Sequence, residues 1–580
     1  MNERTKAGLE ILQTAVLMGV LGNVLLRQTP WGINAFLFVA AFTVSLVILT
    51  VRRRRELLTA RSIAIQCAMV FFGAMFVFRD EEELLVFDTF AIIILMGVLI
   101  LSNFGINARI AGVFHYAAGT IWSGINSAFG SLALLGADID WKDLPGNRLS
   151  KSIFSVLRGL AIALPLLLIF GALFMAADAA FEGVVNRFLN FDIDVVISNV
   201  LLTAVFAWLT AGYFRGSLIE HFRSAPFVSP IPKDEAKQPD STYVEKIATE
   251  EVSGENALPN NATVLEHINR SDPPNAEPTP LTKTTDKKRD WQNWDNSVLP
   301  PVFTLGTVET VIILGLVDLL FLSFVVIQVP YLFGGMEFIQ STPDFKLADY
   351  ARRGFGELVA VAALVLPILL VSHWLLRGEV KRLKNIFRVL AGVQIALLFV
   401  IMASAVQRLV LLTGEFGYGM TTVRFYPMVF MLWLAVVFVW FALTVLRGSR
   451  QNFAWGALWA AVFILGAANL LNPDAFIART NIQLMQQGRP FDAAYNAGQL
   501  SDDAVPAIIA ALPEMSRSDQ CKAITYLHQS YGELGQINDA RSWNLSRQNA
   551  WDLLQANDAY MHQTEGCEAI VINQIGDSSY

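Results

Sequence analysis

Asp318 sits in the middle of an apolar run, Leu314-Gly-Leu-Val-Asp-Leu-Leu-Phe. At membrane depth such a carboxylate costs about 2.5–3.5 kcal/mol on insertion scales. Its candidate chemistry is to hold a proton or a small cation during transport. The structural alternative is an acceptor bonded to Ser, Thr, Asn or Gln on a neighbouring helix. Glu309 is the second candidate, nine residues earlier. That spacing is about 2.5 helical turns, so the two carboxylates point to nearly opposite faces and share no site. Asp88, Glu357 and Arg408 fall near the outer ends of three other apolar runs. They are candidates for an ion-paired cluster that joins helices, because pairing is the usual solution for charges removed from water.

The remaining candidates are weaker. Cys521 and Cys567 lie in a polar C-terminal stretch and form a disulfide if that stretch faces an oxidising compartment; otherwise they are two reduced thiols. Arg352 and Arg353 stand at a water-facing edge, suited to a lipid headgroup or an anionic partner. His373 beside Trp374 reads as an interface anchor, and His115 has no matching ligand nearby. Six His and three Cys are too few for a metal framework, so no metal and no cofactor is expected. There is no P-loop, no dinucleotide-binding glycine turn, no His-Glu-x-x-His and no Gly-x-Ser-x-Gly. No catalytic residue is assigned, and an enzyme is the least supported class.

The elements that position these residues follow from composition. The chain has 580 residues, 54% hydrophobic and 16% charged, with mean hydropathy +0.46. Soluble domains average about 25% charged residues. So few charges cannot cover several soluble domains, and 40 Phe with 13 Trp suit a lipid-facing surface. A net charge of −7 implies no nucleic-acid face.

A spanning helix needs about 20 apolar residues. About eleven runs qualify: 9–26, 31–51, 62–78, 84–103, 155–176, 196–214, 304–329, 354–376, 388–411, 426–446 and 454–471. The predicted fold is all-α, a polytopic helix bundle. Eighteen Lys and Arg fall at one set of ends and loops, Arg52–Arg55 and Arg377–Arg388 most densely, against seven at the other. The excess marks the cytoplasmic side and places the N-terminus inside and the C-terminus outside. The acidic run Asp80-Glu81-Glu82-Glu83 then belongs to an outer loop. Pro165 and Pro367 lie inside spans and predict kinks.

Four parts result: a first membrane half, 1–215; a linker, 216–302; a second half, 303–472; and an outer helical domain, 473–580. Nine of the 22 prolines fall between Pro226 and Pro280, among polar residues that cannot offset their ordering entropy, so the linker is predicted disordered and cytoplasmic. Trp291 and Trp294 return it to the interface. Within the first half, residues 105–135 repeat Ile106, Ile110, Val113, Phe114, Ala117, Ile121, Ile125, Phe129 and Leu132 at helical spacing. An amphipathic helix on the inner leaflet is expected, with a true span as the alternative. A shorter interfacial helix is expected around Phe181–Leu189. In the outer domain, Ser501-Asp502-Asp503, Ser518-Asp519 and Asn538-Asp539 read as helix starts for four or five short helices.

Three stretches carry a family likeness: Tyr350-Ala-Arg-Arg-Gly-Phe-Gly-Glu-Leu running to Pro367, Tyr418-Gly-Met-Thr-Thr-Val-Arg-Phe-Tyr-Pro running to Trp433, and Asn472-Pro-Asp-Ala-Phe-Ile-Ala-Arg-Thr-Asn481. Together they resemble the bacterial multi-pass proteins grouped as domain of unknown function 4153 or 4173, loosely over 75–225 and well over 300–550. The resemblance implies a bacterial cell (inner) membrane protein and carries over no catalytic residue. The functional expectation is a sensory, regulatory or envelope scaffold protein, embedded in the bilayer and binding protein partners through 216–302 and 473–580. The alternative is a transporter or channel for a small ion or solute that uses Asp318.

Overall fold

The computed structural model describes residues 2–141, 193–219, 304–333, 355–376, 381–413, 419–448, 450–534 and 539–558. The expected span 155–176 with Pro165, the segment around Phe181–Leu189, residues 220–302 of the linker, Arg352, Arg353, Cys567 and the Glu357 side chain lie outside them. The described chain is all-α, with no sheet among the described residues. Its long helices are α1 (Glu3–Leu26), α2 (Ile33–Arg53), α3 (Ala60–Phe78), α4 (Glu82–Ile100), α5 (Val113–Ala133) and α6 (Ile193–Leu218). The second half supplies α7 (Thr307–Phe333), α8 (Phe355–Leu375), α9 (Lys381–Thr413), α10 (Thr422–Thr444) and α11 (Phe453–Leu471). All but α5 are long and apolar enough to cross a bilayer, ten helices among the described residues.

The helices bury the stripes their sequences set. On α7, Thr310, Leu314, Asp318 and Val325 recur at helical spacing and are buried, while Leu316, Leu319 and Leu320 are exposed. This pattern places polar and small groups inside and bulky apolar groups outside, as a lipid solvent favours. Two apolar cores form. One gathers α1–α4 and α6 with Tyr116 of α5, and the other gathers α7–α11. Helix α11 touches both, with Trp455, Leu458 and Val462 against the first core and Ala457 and Ala460 against the second. It is the seam between the halves.

Polar bonds tie one end of the first half. Asp138, its side chain fully buried, receives Arg4 at 2.6 Å and Arg215 at 2.5 Å. Arg53 pairs with Glu10 at 2.6 Å and Glu3 at 3.2 Å. Helix α5 lies at this end, against the last turn of α4 and the last turns of α6. Its contacts are backbone-close: a Cβ on Gly119 would stand 2.4 Å from the Gly97 carbonyl oxygen, and one on Gly130 would stand 2.9 Å from that of Gly212. Ser123, Asn126 and Ser131 face inward, and Ile121, Ile125, Phe129 and Leu132 face out. The periodic pattern that begins at Ile106 in sequence becomes helix only at Val113. Gly105 adopts a left-handed φ of 71°, and a turn held by the Asn107 carbonyl follows it.

At the opposite end, five short helices build a cap: α12 (Pro473–Gln486), α13 (Ala493–Gly498), α14 (Val505–Ala511), α15 (Arg517–Leu534) and α16 (Leu545–Ala556). Their core gathers Ala478, Val505, Ile508, Leu512, Ile524, Leu527 and Leu554. One residue turns the chain from bundle to cap. Asn472, at φ 60°, ends α11 and also caps α12, where its side chain accepts from Ala475 N–H with Pro473 in the first turn. Two expected helix starts shift. Helix α14 is capped by Ala504 without a side-chain bond, because Asp503 is engaged elsewhere, and α15 starts two residues early, with Ser516 accepting from Asp519 N–H.

Candidate functional site

The cap meets the bundle across a buried, charged junction. Asp503, from the cap, accepts from Asp80 N–H at 2.8 Å, Asn472 Nδ2 at 2.9 Å and Arg79 Nη1 at 3.4 Å. Arg79 Nε also donates to the Asn469 carbonyl at 2.7 Å. Arg547, from α16, pairs with Asp80 at 3.3 Å and donates to the Trp31 carbonyl at 2.5 Å. Asn544 caps α16 and turns its amide to the Phe76 and Arg79 carbonyls at 2.9 and 2.7 Å. Gly32 passes so close that a Cβ there would stand 2.4 Å from the Trp543 carbonyl oxygen, which accepts from Ile33 N–H at 2.9 Å. A second docking point uses Asn481, whose amide pairs with both backbone groups of Met420 at 2.6 and 2.9 Å. Beside it, Tyr495 O–H accepts from Thr422 N–H at 2.8 Å.

Between these two points lie Glu81 and Asp474, both almost fully buried. Glu81 Oε1 accepts from Tyr426 O–H on α10, and Asp474 Oδ2 accepts from Ser501 N–H at 2.7 Å. Glu81 Oε2 and Asp474 Oδ1 have no partner among the described residues. Burial, then the Asp474 charge, pushes Glu81 up to about 9, against the Tyr426 hydrogen bond. Burial pushes Asp474 up to about 6, opposed by Ser501. Asp80 is raised by burial and by Asp502 and Asp503, while Arg547 opposes the shift. Near neutral pH, Glu81 therefore holds a proton, the usual outcome for carboxyl groups crowded away from water. Among the described residues no three His, Cys, Asp or Glu side chains are arranged to hold a metal.

Two turns further along the same face of α4, Asp88 is wholly buried and accepts from Asn469 Nδ2 at 2.8 Å. Below the junction opens a cavity of about 600 Å³ between α4, α10 and α11. Phe87, Phe90, Ile94, Tyr426, Phe430 and Leu465 line it, and its walls are almost wholly apolar.

The sequence candidates that the described residues include are placed as follows, and the expected grouping of Asp88 and Arg408 with Glu357 lies outside them because the Glu357 side chain does. Asp318 faces the bundle interior from α7, which packs on α9, and neither carboxylate oxygen has a partner among the described residues. Gln394 on α9 is likewise buried, with neither amide atom partnered among the described residues. Glu309 is exposed at the start of α7 and turned back toward Gly306. Asp88 bonds Asn469 on α11, and Arg408 is buried on α9. Cys521 is buried in the cap and disulfide-bonded, while Cys67 is a free thiol on α3. The sequence places Asp80–Glu83 in an outer loop, and the junction that these residues form with the cap is not anticipated there. The available signal was that Tyr426, Asn472, Asp474 and Asn481 all belong to the stretches that carry the family likeness.

Ten membrane-length helices and an all-helical C-terminal region define a polytopic membrane protein, embedded in a lipid bilayer. The chain belongs to the family described as domain of unknown function (DUF4153), which it matches over residues 66–252 and 271–511. The matched stretches enter the linker from both sides and stop within the cap, before α15. No curated protein and no solved structure matches the chain.

Proposed function

We propose that the chain is a sensory, regulatory or scaffold protein of the bacterial inner membrane, with its cap outside and residues 216–302 in the cytoplasm. The observation that carries this reading is the rigid union of cap and bundle. Asp503, Arg547, Asn544 and Asn481 bind the loops before α2, α4 and α10 directly, so a force on the cap strains the helices beneath. A flexible tether would transmit none. The linker, rich in Pro and polar residues, supplies a second contact region on the other side of the bilayer. Crosslinking the intact protein in cells is expected to recover specific partners that are lost on deleting residues 473–580. Recovery of none at normal expression overturns the reading.

Asp318 supports a second reading, transport of a proton or small cation. Its oxygens, without a partner among the described residues, lie on the buried stripe of α7, where a carboxylate is costly unless used. In proteoliposomes, an ion flux unchanged by Asp318→Asn would sink it.

A further inference from the structure

The cavity below the junction is a groove rather than a sealed void. Phe90 is 58% exposed and Phe430 37% exposed, and both stand on its rim. Its walls come from different parts of the fold: α4 from the first half, α10 and Val359 of α8 from the second, and α11, the seam, between them. It occupies the stretch of α4 from Phe87 to Leu95, inside a membrane-length helix, so the medium at its mouth is lipid. Walls this apolar do not hold water. Hydrocarbon fills them and restores the dispersion contacts that an empty groove would lack.

A lipid tail is as apolar as the groove, so the tail alone selects no particular lipid. Selection lies at the mouth. Glu83 is exposed one turn outward of Phe87 on the same face of α4, and its charge reaches Tyr426, Glu81 and Asp474. An acidic mouth repels phosphate-only headgroups and attracts an ammonium. Tyr426, held by Glu81, closes the inner wall at that level. We propose that this groove binds one acyl chain of a bilayer phospholipid with an amine headgroup, phosphatidylethanolamine in kind, whose ammonium pairs with Glu83. The proposal is independent of what the cap senses and of any transport through Asp318.

The test reconstitutes the full chain in vesicles of equimolar phosphatidylethanolamine and phosphatidylglycerol and weighs the lipids retained by native mass spectrometry. The protein is expected to keep phosphatidylethanolamine in about two- to fivefold preference, the range one exposed ion pair supports. Glu83→Lys, a surface change that leaves the packing alone, is expected to reverse the preference. Ala461→Phe, on the groove wall, is expected to abolish retention of both lipids. A photoreactive acyl chain is expected to label peptides of α4 and α11. Retention of neither lipid, preference of the unaltered protein for phosphatidylglycerol, no effect of Glu83→Lys, or labelling only outside these helices each overturns the proposal.

Discussion

Arg79 and Asp503 are separated by 424 residues in the chain and by 3.4 Å in space. The aspartate is buried and takes two further donors, the Asp80 amide and the Asn472 side chain. It therefore joins the α3–α4 loop, the α11–α12 corner and the start of α14 in one step. Arg79 returns the connection by donating to the Asn469 carbonyl, one turn inside the bundle.

Removing that carboxylate takes the ion-pair partner from the half-buried Arg79, which keeps its bond to the Asn469 carbonyl, and leaves the Asp80 amide and the Asn472 side chain without their acceptor. Breaking a buried pair from one side costs about 3–5 kcal/mol. Asp503→Ala is expected to lower the thermal midpoint in detergent micelles and to expose the cap to protease at temperatures where the unaltered protein resists. Asp503→Asn, which keeps an acceptor, is expected to fall between the two. An unchanged digestion pattern for Asp503→Ala would remove the junction from the account of cap docking.

The spans were legible because a bilayer imposes a length and a composition on each helix, and ten runs reappear, most of their ends within about four residues of the expected bounds, while α1 and α9 begin about two turns earlier. The junction was not. Asp80 and Glu81 read as water-facing loop charges, since nothing nearby in sequence covers them. Their cover is Arg547 and Asp474, more than 390 residues away. The same limit applies to Asp88, whose partner Asn469 is uncharged and so escapes a search for opposite charges. Ser501-Asp502-Asp503 read as a helix start from local pattern alone, but tertiary bonding claimed Asp503 first.

The junction should weaken as pH rises. Glu81 moves from an ordinary value of 4.5 to about 9 in the folded protein, so between those values the folded state holds a proton that the unfolded chain has lost. Stability therefore falls with increasing pH across that window and is fully present below it. Asp474, raised to about 6, adds the same sign at lower pH. The groups around Glu81 are Tyr426 from α10, Asp474 and Asp503 from the cap and Glu83 on its own helix. Thermal midpoints are expected to drop from pH 6 to pH 9. Asp80, raised by burial to about 8, contributes with the same sign, so Glu81→Gln, which imitates the protonated acid, is expected to reduce the slope without abolishing it, and a slope of the same size in the variant would refute the assignment.

Cysteine chemistry tests the compartment of the cap. Cys521 is disulfide-bonded and Cys67 is free; Cys567 completes the three in the chain. With a Cys521–Cys567 bridge, a thiol reagent applied to the denatured, unreduced protein labels one cysteine, and after reduction it labels three. Cys567→Ser is expected to release Cys521 as a second reactive thiol and to destabilise the cap by about 2–4 kcal/mol. Labelling of three thiols before reduction, in protein taken straight from cells, would indicate a reduced cap and count against an outside C-terminus.

The Asp88–Asn469 pair separates polar bonding from packing at the seam. Both side chains are wholly buried, and each keeps one oxygen without a partner among the described residues. Asn469→Leu removes the one donor that Asp88 has among the described residues and strands its carboxyl group, at a cost of about 1–3 kcal/mol. Changing both, as Asp88→Val with Asn469→Leu, removes donor and acceptor together, and such paired apolar replacements approach neutrality. The double variant is therefore expected to unfold at a higher temperature than the Asn469→Leu single variant, despite carrying one more change. A double variant that loses the sum of the two single effects would show that the pair contributes through shape alone. In that case the groove wall beside it, formed by Phe87, Leu465 and Ala468, sets the cost.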